Sequence, residues 1–368
     1  MCGKEIYFVT GGGTGGHIYP AAAVADALLE EGHEVYYAGS PQNPEFEFAR
    51  QKGYSFLAVK INSMPREFGI QFIKWLFNLL KASFKAGYYL KKYKPCAVFG
   101  TGGYVCAPVL IACRILKCPY MIHDCDAMPG LVSRKLAPFA ASVSLGFESA
   151  KQFIKNKNIH VNGNPVRAEF KTLSQKRARE ILGLKDKLTL CVTGGSQGAK
   201  TINDAAVELL KEFSEYGMQV IFQTGRKNFE RVIERLIKIY PEYENDKNLI
   251  INPYFDNMAA VLKAGDIAVS RAGALSLSEI CASGAAPVII PFPHAAADHQ
   301  RKNALYMVEH NAAICIEDPD LTKQSLKNAV MQLAQNPDYL NEIKQNSFAL
   351  AKFDGCEKII AQLKGLNV

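Results

Sequence analysis

The sequence has no long uncharged apolar run. Its most hydrophobic stretch after the start, Gly69 to Leu90, is broken by Lys74, Lys81 and Lys85, whereas a bilayer-spanning helix wants about 20 mostly apolar residues. No membrane-spanning segment is predicted. The first residues, Met1-Cys2-Gly3-Lys4-Glu5, pass directly into a strand and a glycine loop without the apolar core of a secretory signal, so export is not expected. None of the ten cysteines belongs to a Cys-x-x-Cys pair, which removes the commonest zinc and redox frameworks. Single cysteines in apolar runs, such as Cys106, Cys113, Cys191 and Cys281, read instead as small buried hydrophobes of a reducing compartment. Charge is unevenly signed but diffuse: the formal net charge of +8 favours anionic partners without choosing among nucleic acid, lipid headgroups and phosphorylated substrates.

What the sequence does hold is a regular alternation of β-rich and helical runs, the pattern of parallel sheets between helices. The clearest strands are Ile6 to Thr10, Val35 to Ala38, Ala97 to Gly100 and Tyr120 to His123, then Leu188 to Thr193, Gln219 to Gln223, Leu249 to Asn252, Ile267 to Ser270 and Ala286 to Pro291. A chain of 368 residues exceeds what one core usually serves, so two doubly wound α/β domains are expected. The halves open alike, with Gly11-Gly12-Gly13-Thr14-Gly15-Gly16 and Gly194-Gly195-Ser196-Gln197-Gly198-Ala199 each placed between a strand and a helix. Turn formers at Asn162-Gly163-Asn164-Pro165 mark the boundary, giving domains 1–164 and 165–345, with a last helix at about 346–368 returning to the first domain.

A glycine turn after a strand lets backbone N–H groups approach a phosphate, and the following helix offers its positive end. Gly11 to Gly16 is nevertheless neither the dinucleotide fingerprint in its usual context nor a P-loop, because His17 and Ile18 stand where Lys and Ser/Thr would be. That loop is therefore read either as a phosphate cradle or as a tight turn. His17 is correspondingly a general base titrating near neutrality or a packed, helix-capping histidine. A further turn, Gly100-Thr101-Gly102-Gly103-Tyr104, leaves its strand on the same carboxyl edge. In the second half Ser276 and Glu279 spell a Ser-x-x-Glu capping box, yet Glu279 could equally accept two hydrogen bonds from vicinal ribose hydroxyls. Pro291-Phe292-Pro293-His294 leads into a polar cluster at Asp298-His299-Gln300, suited to sugar hydroxyls or simply solvated.

Taken together, Gly-Gly-Gly-Thr-Gly-Gly-His at 11–17, Gly-Thr-Gly-Gly-Tyr at 100–104, Gly-Asn-Pro-Val-Arg at 163–167, Gly-Gly-Ser-Gln-Gly-Ala at 194–199, Arg-Ala-Gly-Ala-Leu-Ser-Leu-Ser-Glu at 271–279 and Pro-Phe-Pro-His at 291–294 occur in an order and spacing that resemble the MurG family along nearly the whole chain. The resemblance implies a GT-B fold, two Rossmann-like domains facing a cleft. It further implies an inverting transfer of N-acetylglucosamine from UDP-N-acetylglucosamine to the 4-hydroxyl of a muramyl-pentapeptide on a polyprenyl diphosphate. It places His17 as the base, with Gly102, Gly103 and Tyr104 toward the acceptor. Carried over position by position, the donor falls to Thr14, Gly15, Gly16, Asp126, Arg167, Ser196, Phe255, Met258, Ala274, Leu275, Ser276, Leu277, Ser278, Glu279 and Gln300. No cofactor or metal is implied, and no nucleic acid. One departure is Asp126, a carboxylate where the family has an amide. With Asp124 it also spells Asp-x-Asp, a metal-holding pattern of transferases with another fold.

Lys74, Lys81, Lys85 and Lys92 fall on one stripe of a helix between Ile70 and Lys92, beside Trp75. The family's membrane-facing patch points the same way, so Ile73, Lys74, Trp75, Phe77, Lys81 and Lys85 are expected to rest on an anionic inner leaflet, with the enzyme peripheral on its cytoplasmic face. The bland reading is a core helix with a solvated lysine face. Rival functions on the same architecture are transfer to diacylglycerol and sugar-nucleotide epimerisation.

Overall fold

The computed structural model describes residues 4–65, 67, 69–195 and 197–367, and the chain divides into two compact units, residues 1–165 with 354–368 and residues 166–353. The first unit runs β1 (Ile6–Thr10), α1 (Gly15–Glu30), β2 (Glu34–Gly39), α2 (Pro44–Lys52), β3 (Ser55–Ala58), α3 (Ile70–Tyr93), β4 (Ala97–Gly100), α4 (Gly103–Leu116), β5 (Tyr120–Asp124), α5 (Leu131–Leu136), β6 (Ser142–Leu145) and β7 (Ile159–Val161). The second runs α6 (Glu169–Thr172), α7 (Gln175–Ile181), β8 (Thr189–Thr193), α8 (Lys200–Val207), α9 (Leu210–Glu215), β9 (Gln219–Gln223), α10 (Phe229–Ile239), β10 (Leu249–Asn252), α11 (Met258–Ala264), β11 (Ile267–Ser270), α12 (Ala274–Ser283), β12 (Ala286–Ile289), α13 (His299–Glu309), β13 (Ile314–Cys315), α14 (Lys323–Ala334) and α15 (Pro337–Ala349). The last helix, α16 (Gly355–Lys364), rejoins the first unit.

The sheets are wholly parallel, in the orders β3-β2-β1-β4-β5-β6-β7 and β10-β9-β8-β11-β12-β13. Strands covered on both faces must be apolar almost throughout, and Tyr7, Phe8 and Val9 of β1 and Ile267, Ala268 and Val269 of β11 are buried accordingly. Each order reverses once, between β1 and β4 and between β8 and β11, and connections there leave a crevice at the carboxyl ends of the strands. Thr10 pairs with Gly100 across the first switch and Thr193 with Ser270 across the second. The four motif loops therefore emerge in adjacent pairs.

The returning segment begins at Asp354 rather than at about residue 346, because residues up to Ala349 complete α15, whose Ser347 is buried in the second unit. Ile359, Ile360 and Leu363 of α16 then fill one core of the first unit with Tyr7, Val9, Tyr37 and Phe99. Helix α3 departs from the bland core reading. It buries only Ala82, Ser83, Ala86 and Leu90, while Ile70, Ile73, Phe77, Leu80, Phe84 and Tyr88 are exposed. Trp75 lies apart from that stripe: it stacks on Phe72 with ring centroids 5.8 Å apart, and its indole N–H donates to the Asn62 carbonyl at 2.9 Å. No described helix is long and apolar enough to cross a membrane.

Candidate active site

In the first unit the adjacent loops after β1 and β4 are tied by a reciprocal pair of bonds. His17 Nδ1 donates to the Thr101 carbonyl at 2.9 Å, and Thr101 Oγ1 donates to the His17 carbonyl at 2.7 Å. A carbonyl can only accept, so in the neutral imidazole this contact puts the hydrogen on Nδ1 and the lone pair on Nε2. The ring lies against Gly103, where a Cβ would fall 2.8 Å from Cδ2 and 3.1 Å from Nε2, and where φ is +72°. Only glycine satisfies both the approach and the left-handed backbone. Gly102, also at positive φ, faces Asp124 and His17, and Tyr104 lies over Gly13 and accepts a hydrogen bond from Asn43 Nδ2 at 2.9 Å. The structure thus brings His17, Gly102, Gly103 and Tyr104 together. Thr14, Gly15 and Gly16 form the exposed start of α1, with Thr14 as its N-cap.

Asp124 is buried and spends its oxygens on the backbone: Oδ1 accepts from the Asp126 N–H at 3.2 Å and Oδ2 from the Gly130 N–H at 3.1 Å. Burial, and next the neighbouring Asp126 carboxylate, push its pKa up. Asp124 is therefore a strut for the loop after β5, and among the described residues no group of three or more His, Cys, Asp or Glu side chains could hold a metal ion. The Asp-x-Asp reading gains nothing from this geometry. His123 is likewise interior. Asn164 Oδ1 lies 3.1 Å from Nε2, which donates to it, leaving Nδ1 to accept from Ser144 Oγ at 2.9 Å. Burial lowers its pKa to about 4.

One residue that the sequence reading missed braces this unit from behind. Glu45, in the first turn of α2, is fully buried, and its oxygens accept from the Gly13 N–H at 2.9 Å and the Ser40 N–H at 3.1 Å. One of the glycine loop's own donors is consumed inside the protein.

In the second unit the loop after β8 is held by Gln223, also missed. Its amide donates to the Gly195 carbonyl at 3.2 Å, while its oxygen accepts from the Phe255 N–H at 2.9 Å. Gln223 therefore couples the glycine loop to the segment bearing Phe255 and Met258, whose helix α11 is capped by Asn257. Ser196 lies outside the described residues. The capping box at 276–279 does not form. Gly273 is the N-cap of α12, so Ala274, Leu275 and Ser276 make the first turn, Leu277 packs inward and Ser278 bonds back to Ala274. Glu279 turns instead to Arg167, at 2.7 Å. Burial raises its pKa, and the Arg167 charge opposes that rise. Gln300 accepts from the Phe292 N–H at 3.0 Å through Oε1.

Arg271 fastens these loops from beneath. It pairs with Asp318, donates to Thr201 Oγ1 at 2.8 Å and to the Ile290 and Pro291 carbonyls at 3.3 Å each, and lies over Phe292. Two doubly wound parallel units with paired glycine loops at their switch points are the plan of the GT-B fold. Residues 7–145 match the glycosyltransferase family 28 N-terminal domain and residues 189–359 its C-terminal domain.

The full length is similar to the UDP-N-acetylglucosamine--N-acetylmuramyl-(pentapeptide) pyrophosphoryl-undecaprenol N-acetylglucosamine transferase of Caldanaerobacter subterraneus subsp. tengcongensis, at 37% identity over 98% of this chain and 100% of that one. The protein of the same description from Desulforamulus reducens is 36% identical over 96% of each. A crystal structure of Acinetobacter baumannii MurG superposes with a TM-score of 0.79 at 26% identity, covering 99% of this chain and 100% of that one. The chain belongs to the MurG family of N-acetylglucosamine transferases.

Proposed function

We infer that this chain transfers N-acetylglucosamine from UDP-N-acetylglucosamine to the 4-hydroxyl of the N-acetylmuramyl group of the undecaprenyl-diphosphate-linked muramyl-pentapeptide, with inversion, in peptidoglycan synthesis. The observation that carries the chemistry is His17, whose Nδ1 contact with Thr101 commits Nε2 to accepting a proton. The acceptor hydroxyl loses its proton to Nε2 as its oxygen attacks the anomeric carbon. The C–O bond to UDP breaks as the new C–O bond forms, and its electron pair leaves with the diphosphate. That leaving group is already a stabilised anion, so the Arg167 charge and backbone donors suffice to meet it, and activity in excess EDTA is expected. Gly102, Gly103 and Tyr104 hold the acceptor. The donor is held by Arg167, Ser196, Phe255, Met258, residues 274–278, Glu279 and Gln300, with Thr14, Gly15, Gly16 and Asp126 assigned to it from the first unit's sequence.

Radiolabelled UDP-N-acetylglucosamine supplied with the muramyl-pentapeptide lipid, with diacylglycerol, or with no acceptor tests this reading. Label should enter the first lipid alone. Label in diacylglycerol, or epimerised sugar without acceptor, would replace it.

The enzyme works as a peripheral protein on the cytoplasmic leaflet, docking through α3. Supporting this are the exposed apolar stripe, in which Phe77 is 68% and Phe84 81% accessible, and the exposed lysines 74, 81 and 85 beside it. Each basic residue near an anionic surface is worth about 1 kcal/mol. Exchanging Lys74, Lys81 and Lys85 for Glu should release the enzyme from anionic vesicles in a sedimentation assay, and unchanged binding would end the docking proposal.

A further inference from the structure

Arg167 and Glu279 stand 112 positions apart in the chain, yet the guanidinium NH1 meets Glu279 Oε1 at 2.7 Å. The pair is not a loose surface contact. Val166 and Phe170, on either side of Arg167, pack into a small core that also contains Ile280 and Ala282 of α12, next to Glu279. The backbone carrying the guanidinium is therefore seated on the helix carrying the carboxylate. The Glu279 side chain is only 16% exposed, and among the described residues Arg167 is its one hydrogen-bond partner. Arg167 itself is 42% exposed, which leaves part of its five-donor fork available to a ligand.

We propose that Arg167 is a positioning residue for ribose recognition: by holding Oε1 of Glu279 it fixes the carboxylate that receives the vicinal hydroxyls, so one guanidinium serves the nucleoside end of the donor as well as its diphosphate. This rests on the reading of Glu279 as the ribose ligand. The second oxygen, Oε2, then faces the hydroxyls, and two bonds from them need an ionised, correctly turned acceptor. Burial and Glu169 both work against ionisation, and Arg167 is the group that opposes them. The other helices packed on α12 carry Lys263 on α11 and Asp338, Glu342 and Lys344 on α15, with Lys344 committed to Asp266 at 2.9 Å. Without Arg167 the carboxyl should take up a proton at a higher pH.

Uridine, which has no phosphate, separates this role from diphosphate binding. The experiment measures dissociation constants of uridine and of UDP by ligand-observed NMR for the full chain, Arg167→Gln, Arg167→Lys and Glu279→Gln, from pH 6 to pH 9, with thermal melts confirming that each variant is folded. Arg167→Gln is expected to weaken uridine about tenfold, most strongly at the acid end of the range, and Arg167→Lys to restore part of the loss. Glu279→Gln should weaken uridine at least as much, with little dependence on pH. If Arg167→Gln weakens UDP but leaves uridine unchanged while Glu279→Gln weakens both, the inference is wrong and the ribose reading stands. If Glu279→Gln also leaves uridine unchanged, both are overturned.

Discussion

Behind the glycine loop of the first unit lies a buried anion, Glu45, which takes the Gly13 and Ser40 N–H groups. Behind the loops of the second unit lies a cation, Arg271, which takes two carbonyls, a hydroxyl and Asp318. Both units share one plan of strand, glycine turn and helix, but the braces differ in sign. The difference separates their tasks. In the first unit a loop donor that could have met a phosphate is used internally, and what the loop presents is the His17 ring, fixed against Gly103. In the second, the brace is a donor, balanced by Asp318, and it takes the Ile290 and Pro291 carbonyls rather than N–H groups. A glycine-rich turn is thus not by itself a phosphate site; the group that braces it decides what it can hold.

The largest expected effect breaks the comparison at the ring. His17→Ala should lower kcat by about 10²- to 10⁴-fold, the usual share of a positioned base, while calorimetry shows UDP binding unchanged. Turnover near that of the parent enzyme would remove His17 from the base role. A smaller effect is expected at the first brace. Glu45→Gln turns an amide N–H toward a backbone donor and leaves that donor unsatisfied, at a cost of about 1–3 kcal/mol. The urea midpoint should fall and kcat should drop about tenfold, with the dissociation constant of UDP held. If UDP binding falls instead, the two loops are not separate in task. At the second brace Arg271→Met should do the reverse, weakening UDP several-fold while kcat at saturating donor is held.

The last effect is read through the pH dependence of stability. His123 keeps a folded pKa of about 4 against an ordinary 6.5, so between those values the unfolded chain binds a proton that the folded one refuses. Stability from this group is complete above about pH 6.5 and is lost as pH falls toward 4, by on the order of 3 kcal/mol. Asp124 and Glu279, whose pKa values are raised, act in the opposite sense. The difference between parent and His123→Gln in urea unfolding free energy, followed from pH 7 to pH 4, isolates the histidine. A flat difference would contradict its buried neutral state.

Much of this was legible in the sequence. Strands such as Ile6 to Thr10 and Ile267 to Ser270 are continuous apolar runs ending in glycine or small-residue turns, and parallel pairing forces those turns to one edge. That edge is why His17 could be placed near Gly102 and Gly103 before any coordinates. The shorter strands were not legible: β6, paired with β5 and β7, reads Ser-Val-Ser-Leu, and its buried Ser144 hydroxyl is met by His123 and Asn162. Glu45 follows Asn43-Pro44 as an ordinary acidic first turn, and nothing local says that its carboxylate points inward. Gln223 and Arg271 were hidden for the same reason, since their partners lie far along the chain. The Ser276 and Glu279 box failed because Gly273, extended at φ −66° and ψ 133°, starts the helix one turn earlier. Phe84 and Tyr88 went unremarked because exposure, unlike periodicity, is a property of the packed helix.

Helix α16 has a consequence for how the protein is made. Its Ile359, Ile360 and Leu363 complete a core otherwise built from residues before position 125, yet they follow the whole second unit in the chain. On a translating ribosome the unit begun first is therefore sealed last. Residues 166–353 can finish packing while the amino-terminal sheet still waits with an open apolar face, an interval in which a chaperone rather than α16 would have to shield it.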